Sequence, residues 1–405
     1  MKSEIEVPKG WNKVTLRHIC KKITDGTHKT PKYVREGIPF LSTNNLIPFS
    51  KKFDFDNYCK YITKEEHEQL IKRCKPEKGD ILVSKCGTIG RTQLIKNNLE
   101  FSIFVGLGLL KLNEEKIMGE FAEQLMNWEV TIRQMECLSP GATRKTLTIN
   151  GISKLKILLP PLNEQQKIAD ILSKVDEQID FTEKIISKNE ELKKGLMQKL
   201  LTKGIGHTKF KKTEFGEIPE KWEIVKQGDI AEFINGRAYK LSEWEKSGTP
   251  VIRLQNLTGS GSTYYYSNLK LDPKQYVQEG NLLYMWSASF GPYIWHGPKA
   301  IYHYHIWKVE CGDGIDKMYM FYNLHNMTNI MKNQMHGMAI LHITKNKMEK
   351  QKIKLPPLDE QKQIALILSK VDEQIQDNKK ELKHLHELKK GLMQDLLTGK
   401  VRVSV

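Results

Sequence analysis

Nowhere do these 405 residues approach the roughly 20 consecutive apolar residues that a membrane-spanning helix needs, which excludes a helical membrane protein. The start, Met1-Lys-Ser-Glu-Ile-Glu6, is too polar for a signal peptide. The six cysteines, Cys20, Cys59, Cys74, Cys86, Cys137 and Cys311, form no C-x-x-C pair and keep no regular spacing. That argues against a disulfide framework or a structural zinc site and points to the reducing cytoplasm. There is no phosphate-binding G-x-x-x-x-G-K-[ST] loop. Gly87-Thr88-Ile89-Gly90-Arg91 comes nearest, lacks the lysine, and reads as a tight turn beside a strand before it reads as a DNA-phosphate contact. The two Pro-Pro pairs are flanked by leucine, so the (Asn/Asp)-Pro-Pro-(Tyr/Phe) run of an adenine methyltransferase is missing. No H-x-x-x-H pair suits a metal. His303 and His305 alternate with Tyr302 and Tyr304, which suggests strand packing first, DNA contact second and a metal last. The expectation is a chain with no catalytic residues, no metal and no cofactor of its own.

What is present is a repeat. Residues 160–202 recur at 356–398 with a constant offset of 196, identical at 28 of 43 positions without a gap. Both copies open Pro-Pro-Leu-(Asn/Asp)-Glu-Gln and close Glu-Leu-Lys-Lys-Gly-Leu-Met-Gln-x-Leu-Leu-Thr. Each reads as one helix: Pro-Pro marks the entry, Asn163 or Asp359 can cap it, and Gly204 or Gly399 stops it. Forty residues make a rod of ~60 Å. Apolar residues at 168, 172, 175, 179 and 186, and at 364, 368, 371, 375, 382 and 385, follow the 4-3 spacing of a coiled-coil seam. Thr182 and Asn378 interrupt that seam in mid-helix, either as a local defect or as a polar contact that fixes register.

Ahead of each helix lies an irregular segment. The two match weakly but in order, through Trp11 and Trp222, Gly37–Leu46 and Gly248–Leu257, and Gly79–Leu82 and Gly280–Leu283. Short apolar runs such as Ile81–Ser84, Phe101–Leu110 and Val251–Leu254 predict strands, and Glu114–Met135 and Lys317–Met335 predict helices. The expected fold is mixed α/β: two globular domains, 1–159 and 203–355, two long antiparallel coiled-coil helices, 160–202 and 356–398, and a tail, 399–405, related by a pseudo-twofold repeat. In that arrangement the tail returns to the first domain.

Charge follows the same division. The net +16 resolves into +9 for 1–159, +7 for 203–355, −1 for each helix and +2 for the tail. Two basic heads on a near-neutral spacer suit a polyanion, above all double-stranded DNA. Near-identical helices suit two copies of one protein partner, and divergent heads suit two different ligand sequences. Strict packing in helices and looser packing elsewhere would also produce part of this pattern. A non-DNA scaffold would explain the repeat but not the charge segregation.

Read together, the duplicated Leu-Pro-Pro-Leu-(Asn/Asp)-Glu-Gln and Gly-Leu-Met-Gln-x-Leu-Leu-Thr motifs, and Phe210-Lys-Lys-Thr-Glu-Phe-Gly-Glu-Ile-Pro-Glu-Lys-Trp222 between them, resemble the specificity subunits of type I restriction–modification systems. The resemblance covers nearly the whole chain. It implies two target-recognition domains on two antiparallel central helices, two copies of a partner methyltransferase that uses S-adenosylmethionine, and a motor-nuclease restriction subunit that joins for cleavage. Catalysis would then reside on the partners. Candidate DNA-facing residues, chosen by chemistry and loop position, are Thr27, His28, Lys29, Asn44, Lys85, Arg91, Arg144 and Lys145 in the first domain. In the second they are Arg237, Arg253, Gln255, Tyr265 and Ser287. Arginine suits guanine, Asn and Gln suit adenine, and any cation suits phosphate; a solvated loop side chain remains the competing reading of each. Asn45 and Asn256, shared by both domains, are expected to shape a turn and not to read a base. Candidate partner-facing residues are Ser173, Lys174, Asp176 and Glu177, repeated as Ser369, Lys370, Asp372 and Glu373.

Overall fold

The computed structural model describes residues 7–50, 52–55, 57–139, 145–287, 289–334 and 343–404. It divides into two compact units, residues 1–184 with 380–405, and residues 185–379. Each unit is a head, the N-terminal half of the long helix that follows it, and the C-terminal half of the other long helix.

In the first head, Cys20–Asp25, Leu107–Leu112, Ile81–Ser84 and Thr92–Leu94 form an antiparallel sheet in that spatial order. A three-stranded sheet lies beside it: Ile38–Leu41 pairs antiparallel with Lys60–Ile62 and parallel with Ser102–Ile103. Ile81–Ser84 is buried along its whole length because both of its faces are covered. Ile81 and Val83 enter the core shared with the helices, and Leu82 enters a second core beneath the smaller sheet. The period of two in side-chain direction sorts one apolar run into two cores.

The second head repeats this plan. Ala231–Asn235, Ile306–Cys311, Leu282–Met285 and Gly291–Ile294 make one sheet. Thr249–Ile252 makes the other, parallel to Ala300–Tyr302 and antiparallel to Tyr265–Ser267. Leu282 and Tyr284 face the helix-side core, while Leu283 and Met285 face the outer one. A short ladder closes the base of each head, Asn12–Thr15 with Lys156–Leu159 and Glu223–Lys226 with Lys352–Leu355.

Two expectations needed refinement. The run Phe101–Leu110 is two strands, because the chain turns where the Leu107 amide donates to the Phe104 carbonyl. The predicted helix over Glu114–Met135 is Gly119–Met126 and Glu129–Cys137. It breaks at Asn127, whose amide group bonds the backbone N–H and C=O of Thr92 at 3.2 and 2.9 Å.

The long helices span Leu162–Lys203 and Leu358–Leu397. The Pro-Pro-Leu-(Asn/Asp)-Glu-Gln motif fastens each to its own head. Gln165 Nε2 donates to the Lys116 and Pro160 carbonyls at 3.0 and 2.9 Å, and its Oε1 accepts from the Met118 amide at 2.9 Å. Gln361 does the same with Gly314, Pro356 and Asp316. One residue earlier, the carboxylate of Glu164 accepts from the Trp11 indole at 3.1 Å, and that of Glu360 from the Trp222 indole at 2.9 Å. Gly204 and Gly399 end the helices in the left-handed region at φ +66° and +68°. Beyond Gly399 the tail lies on the first head, with Arg402 on Glu164 and its Nη1 2.9 Å from the Lys9 carbonyl.

Within each unit the helix halves run antiparallel, since partners further along one lie further back along the other. In the first unit Asp176 pairs with Lys389 of the other helix, and Glu164, further back, with Arg402 of the tail that continues it. In the second Glu190 pairs with Lys379 at 2.7 Å and Lys193 with Asp372 at 2.6 Å. Asp176 and Asp372 are equivalent in the repeat, as are Lys193 and Lys389, so each repeat's aspartate meets the other's lysine. Thr182 and Asn378 donate to carbonyls of their own helices, Gln178 and Gln374. Within the units, the ion pairs Asp176–Lys389, Lys193–Asp372 and Glu190–Lys379 join the helix halves.

Removing one partner of a buried ion pair strands the other charge. Asp176→Ala is expected to lower unfolding stability by about 3 kcal/mol, and Asp176→Lys combined with Lys389→Asp to recover most of it. Urea denaturation of the single and double variants measures both.

Candidate nucleic-acid interface

In each head four loops meet where the parallel strand pair ends. In the first head the Thr27 amide donates to the Ile103 carbonyl at 3.1 Å and Phe104 to Leu41 at 2.9 Å. Val105 donates to Thr27 at 3.0 Å and Lys85 to Gly106 at 2.8 Å. The second head repeats the stitching: Arg237 to Tyr302 at 3.2 Å, His303 to Ile252 at 2.9 Å and Trp286 to His305 at 3.2 Å. Gly26 and Gly236 press against the neighbouring backbone so closely that a Cβ would come within 2.0 Å of the Ile103 oxygen or 2.3 Å of the His303 oxygen. Asp25-Gly26 and Asn235-Gly236 are thus equivalent, a correspondence visible in the sequence once the loops are aligned on these glycines.

A second shared device sits beside the first. Asn45 accepts from the Ser42 amide at 2.8 Å and donates to the Asp54 carbonyl at 2.7 Å. Asn256 accepts from the Arg253 amide at 2.9 Å and donates to the Thr263 carbonyl at 3.1 Å. These two asparagines shape turns, as expected. Each turn presents an amide side chain from the preceding position, exposed Asn44 in the first head and half-buried Gln255 in the second.

Upon these matching backbones most of the surrounding side chains differ. The first head carries a polar knot: buried Asp25 meets Lys85 Nζ at 2.5 Å, Arg73 at 2.6 Å and His28 at 3.4 Å. Burial opposes the Asp25 charge, but the hydrogen bonds and charges of Lys85 and His28 hold the carboxyl below the usual carboxylate range. Lys85, expected on an open loop, is only 5% exposed, so its charge is spent on Asp25 and the expectation of a DNA-facing lysine there is revised. Arg73, which the sequence reading passed over, stands half-open on the other side of the same carboxylate. Thr27 bonds the backbone of Lys29, whose side chain is exposed along with that of His28. Arg91 closes the hairpin turn through its amide to Ser84 Oγ at 2.9 Å, the tight turn expected there, and its side chain is exposed. Lys145 is exposed beside Leu147, whose amide bonds the Lys85 carbonyl at 2.8 Å. Arg144 lies outside the described residues.

The second head carries an aromatic and cationic ladder. The Arg253 guanidinium lies 4.0 Å over the Tyr265 ring, Tyr265 packs on Trp244 at 4.7 Å and Trp244 on Tyr239 at 5.5 Å. Gln255 completes it, its amide oxygen turned to accept from Arg253 Nε at 3.2 Å. Arg237 clasps Glu243 at 2.6 and 3.1 Å, so both of its terminal nitrogens already donate within the loop. Ser287 is half-buried beside Trp286, which stacks on Trp307. His303, Tyr304 and His305 sit in the turn between Ala300–Tyr302 and Ile306–Cys311, not along one strand. Burial, then the charges of His305 and Arg253, push the His303 imidazole down to about 4.

The family whose sequence model matches this chain is described as the type I restriction modification DNA specificity domain, and it covers residues 8–191 and 219–387. The chain belongs to that family. It is therefore a specificity subunit, the non-catalytic DNA-recognition component. It is 32% identical to a putative type I restriction enzyme MjaX specificity subunit of Methanocaldococcus jannaschii, over 99% of this chain and 96% of that protein. To the MjaVIII specificity subunit of the same organism it is 34% identical, over 98% and 95%. Its fold is similar to the crystal structure of a type I S subunit from M. genitalium, with a TM-score of 0.62 at 16% identity and 98% of each chain covered.

On the helices of the specificity subunit, the expected partner-facing residues fall into two groups. Lys174, Glu177, Lys370 and Glu373 are exposed, and Ser173 and Ser369 half-buried. Asp176 and Asp372 are committed inside: Asp176 also accepts from Gln124 at 2.6 Å and Asp372 from the Tyr322 hydroxyl at 2.8 Å. These two carboxylates are withdrawn from the candidate docking surface. The sequence reading missed Leu192 and Leu388, equivalent in the repeat and 50% and 42% exposed. Among the described residues no helix is long and apolar enough to cross a membrane.

The adjacent asparagines of the first turn allow a clean separation of roles. Asn45→Ala leaves the half-buried Ser42 amide and Asp54 carbonyl without their partner and is expected to cost about 1–3 kcal/mol of stability; Asn44→Ala is expected to cost under about 0.5 kcal/mol. For discrimination between target bases the order should reverse. Thermal melting of both variants, with their binding to target and point-mismatched duplexes, measures the two effects.

Proposed function

We propose that the chain reads a bipartite, asymmetric DNA target, one block with each head, and docks two copies of a methyltransferase subunit. Through them it would recruit the restriction motor-nuclease subunits. The observation that carries this reading is the pair of loop clusters: one backbone scaffold built twice and furnished with unlike side chains. A scaffold kept while its side chains change suits two sites of one kind with different ligands. The first cluster offers exposed Asn44, Lys29, His28 and Lys145 around the Asp25 knot. The second offers the Arg253–Gln255 pair and the ring of Tyr265. Amides and arginines of this kind read adenine and guanine edges, and the remaining cations suit phosphates.

The helices support the second half of the reading. Lys174 and Glu177 recur as Lys370 and Glu373, and Leu192 as Leu388, so the chain presents one mixed surface twice. S-adenosylmethionine belongs on the docked methyltransferase in this scheme, and the complex works in the cytoplasm, where its DNA is.

Two measurements test the proposal. Affinity of the assembled complex for its target duplex should fall steeply with salt, log K dropping by about 0.9 per phosphate contact for each tenfold rise; a flat response contradicts basic DNA-binding heads. Native mass measurement at saturating methyltransferase should give two copies per chain, and a plateau at one contradicts the duplicated docking surface.

A further inference from the structure

The loop that follows Gly236 holds a leucine in water. Leu241 is 90% exposed, the most open of the large apolar side chains described in this chain. A single exposed leucine on a floppy loop would call for no explanation. This loop is tied down by its own side chains. Leu241 opens the 3-10 turn Leu241–Glu243. Glu243, at the end of the turn, accepts from Arg237 Nη2 at 2.6 Å, from Arg237 Nη1 at 3.1 Å and from the Lys240 amide at 2.7 Å. The Arg237 amide is itself tied to the Tyr302 carbonyl at the end of a buried strand. On either side of the leucine, Tyr239 and Trp244 pack against each other, and Trp244 continues into Tyr265 and Arg253. An arginine fork, a carboxylate and two aromatic rings therefore fix the position of a side chain that touches almost nothing. The same loop carries exposed Lys240 and Lys246 beside exposed Glu245, with Arg237 and Glu243 paired, and through Trp244 it is continuous with the Arg253–Tyr265 cluster.

From this geometry we infer that Leu241 is a wedge: when the second head binds DNA, the leucine enters the base stack and partly separates one step. The inference rests on the DNA-reading role proposed above. Proteins that kink duplexes frequently insert an apolar side chain such as leucine between base steps, and the few kcal/mol per step lost to unstacking are recovered through added contact. Rigid mounting is what the task requires, because a tip free to fold back would slide off the stack. A protein-docking role fits poorly, since one leucine alone offers little apolar area. Among the described residues, the equivalent loop of the first head holds no counterpart. Its shorter loop runs Thr27-His28-Lys29-Thr30-Pro31-Lys32 before Tyr33 and carries no large aliphatic side chain. Distortion should therefore be confined to the block read by the second head.

The test uses the full-length chain assembled with its methyltransferase subunit and duplexes carrying the mapped target, with 2-aminopurine placed at successive positions of both blocks. Unstacking raises the fluorescence of this base. Apart from the bases that the methyltransferase itself extrudes, wild type should raise it at one step of the second block and nowhere in the first. Leu241→Ala, which should melt like wild type because the side chain is exposed, should lose that rise, and Leu241→Met should keep it. A duplex that is bound with no rise at any position other than the extruded bases overturns the wedge and leaves the DNA-reading role standing. A rise at the wedge step that survives Leu241→Ala also overturns it. So does a flat signal combined with binding that weakens when thymine is replaced by uracil, which would make Leu241 a methyl contact. A properly assembled complex that fails to retain the duplex overturns the reading role and the wedge together.

Discussion

One carboxylate at the start of each long helix holds the architecture of its unit together. Glu164 accepts from the Trp11 indole and from Arg402 of the returning tail, and it is nearly buried. Hydrogen bonds from Arg402 draw its carboxyl below the usual range against the opposing effect of burial, with Trp11 assisting. Glu360 accepts from the Trp222 indole, from His207 at 2.7 Å and from the Ile205 amide at 3.0 Å. In each unit, then, one side chain joins three things: a head, the helix leaving that head, and the chain arriving from the other long helix. An acidic group in the first turn is also where the helix dipole favours negative charge. Because the arriving chain is a linker in one unit and the C-terminal tail in the other, the tail does structural work equivalent to that of an internal segment. The crosswise pairs Asp176–Lys389 and Asp372–Lys193 repeat the principle further along the helices.

With the frame fixed this way, the heads are free to differ. Gly26 and Gly236 hold the first loop against the strand end, and Asn45 and Asn256 hold the second. Those four residues set the backbone, so neighbouring positions can change without unfolding the cluster. One head has used that freedom for a buried Asp–Lys knot with an arginine outside it, the other for a stack of aromatic rings between arginines. A specificity subunit needs this separation between what builds the reading edge and what reads with it.

Much of the frame could be read in the sequence because it repeats. The offset of 196 exposed both helices, and their seam and stop glycines follow local rules of helix chemistry; the expected caps Asn163 and Asp359 instead lie inside helices that begin at Leu162 and Leu358. The weak matches around Gly37 and Gly248 were enough to indicate equivalent heads and to assign Asn45 and Asn256 to turns. The side-chain partners were not legible. Lys85 looks like an open loop lysine until Asp25, 60 residues away, is brought against it. Asp176 and Asp372 look like surface groups until the antiparallel partner delivers a lysine to each. Arg237 looks free to read guanine until Glu243 folds back onto it. In every case a long-range or turn-dependent contact decides the fate of a charge, and periodicity carries no information about such contacts. The His303–His305 segment failed for a related reason: alternation over four residues fits a strand as well as a turn joining two strands.

The central claim is that each head reads its own block of DNA on a scaffold common to both. The most direct measurement is to replace residues 203–355 with the equivalent domain of a related specificity subunit and map the modified bases genome-wide. The account predicts that one block of the target changes while the other block and the spacing between them stay as they were. A swap that altered both blocks, or a mapped site that proved continuous, would contradict it.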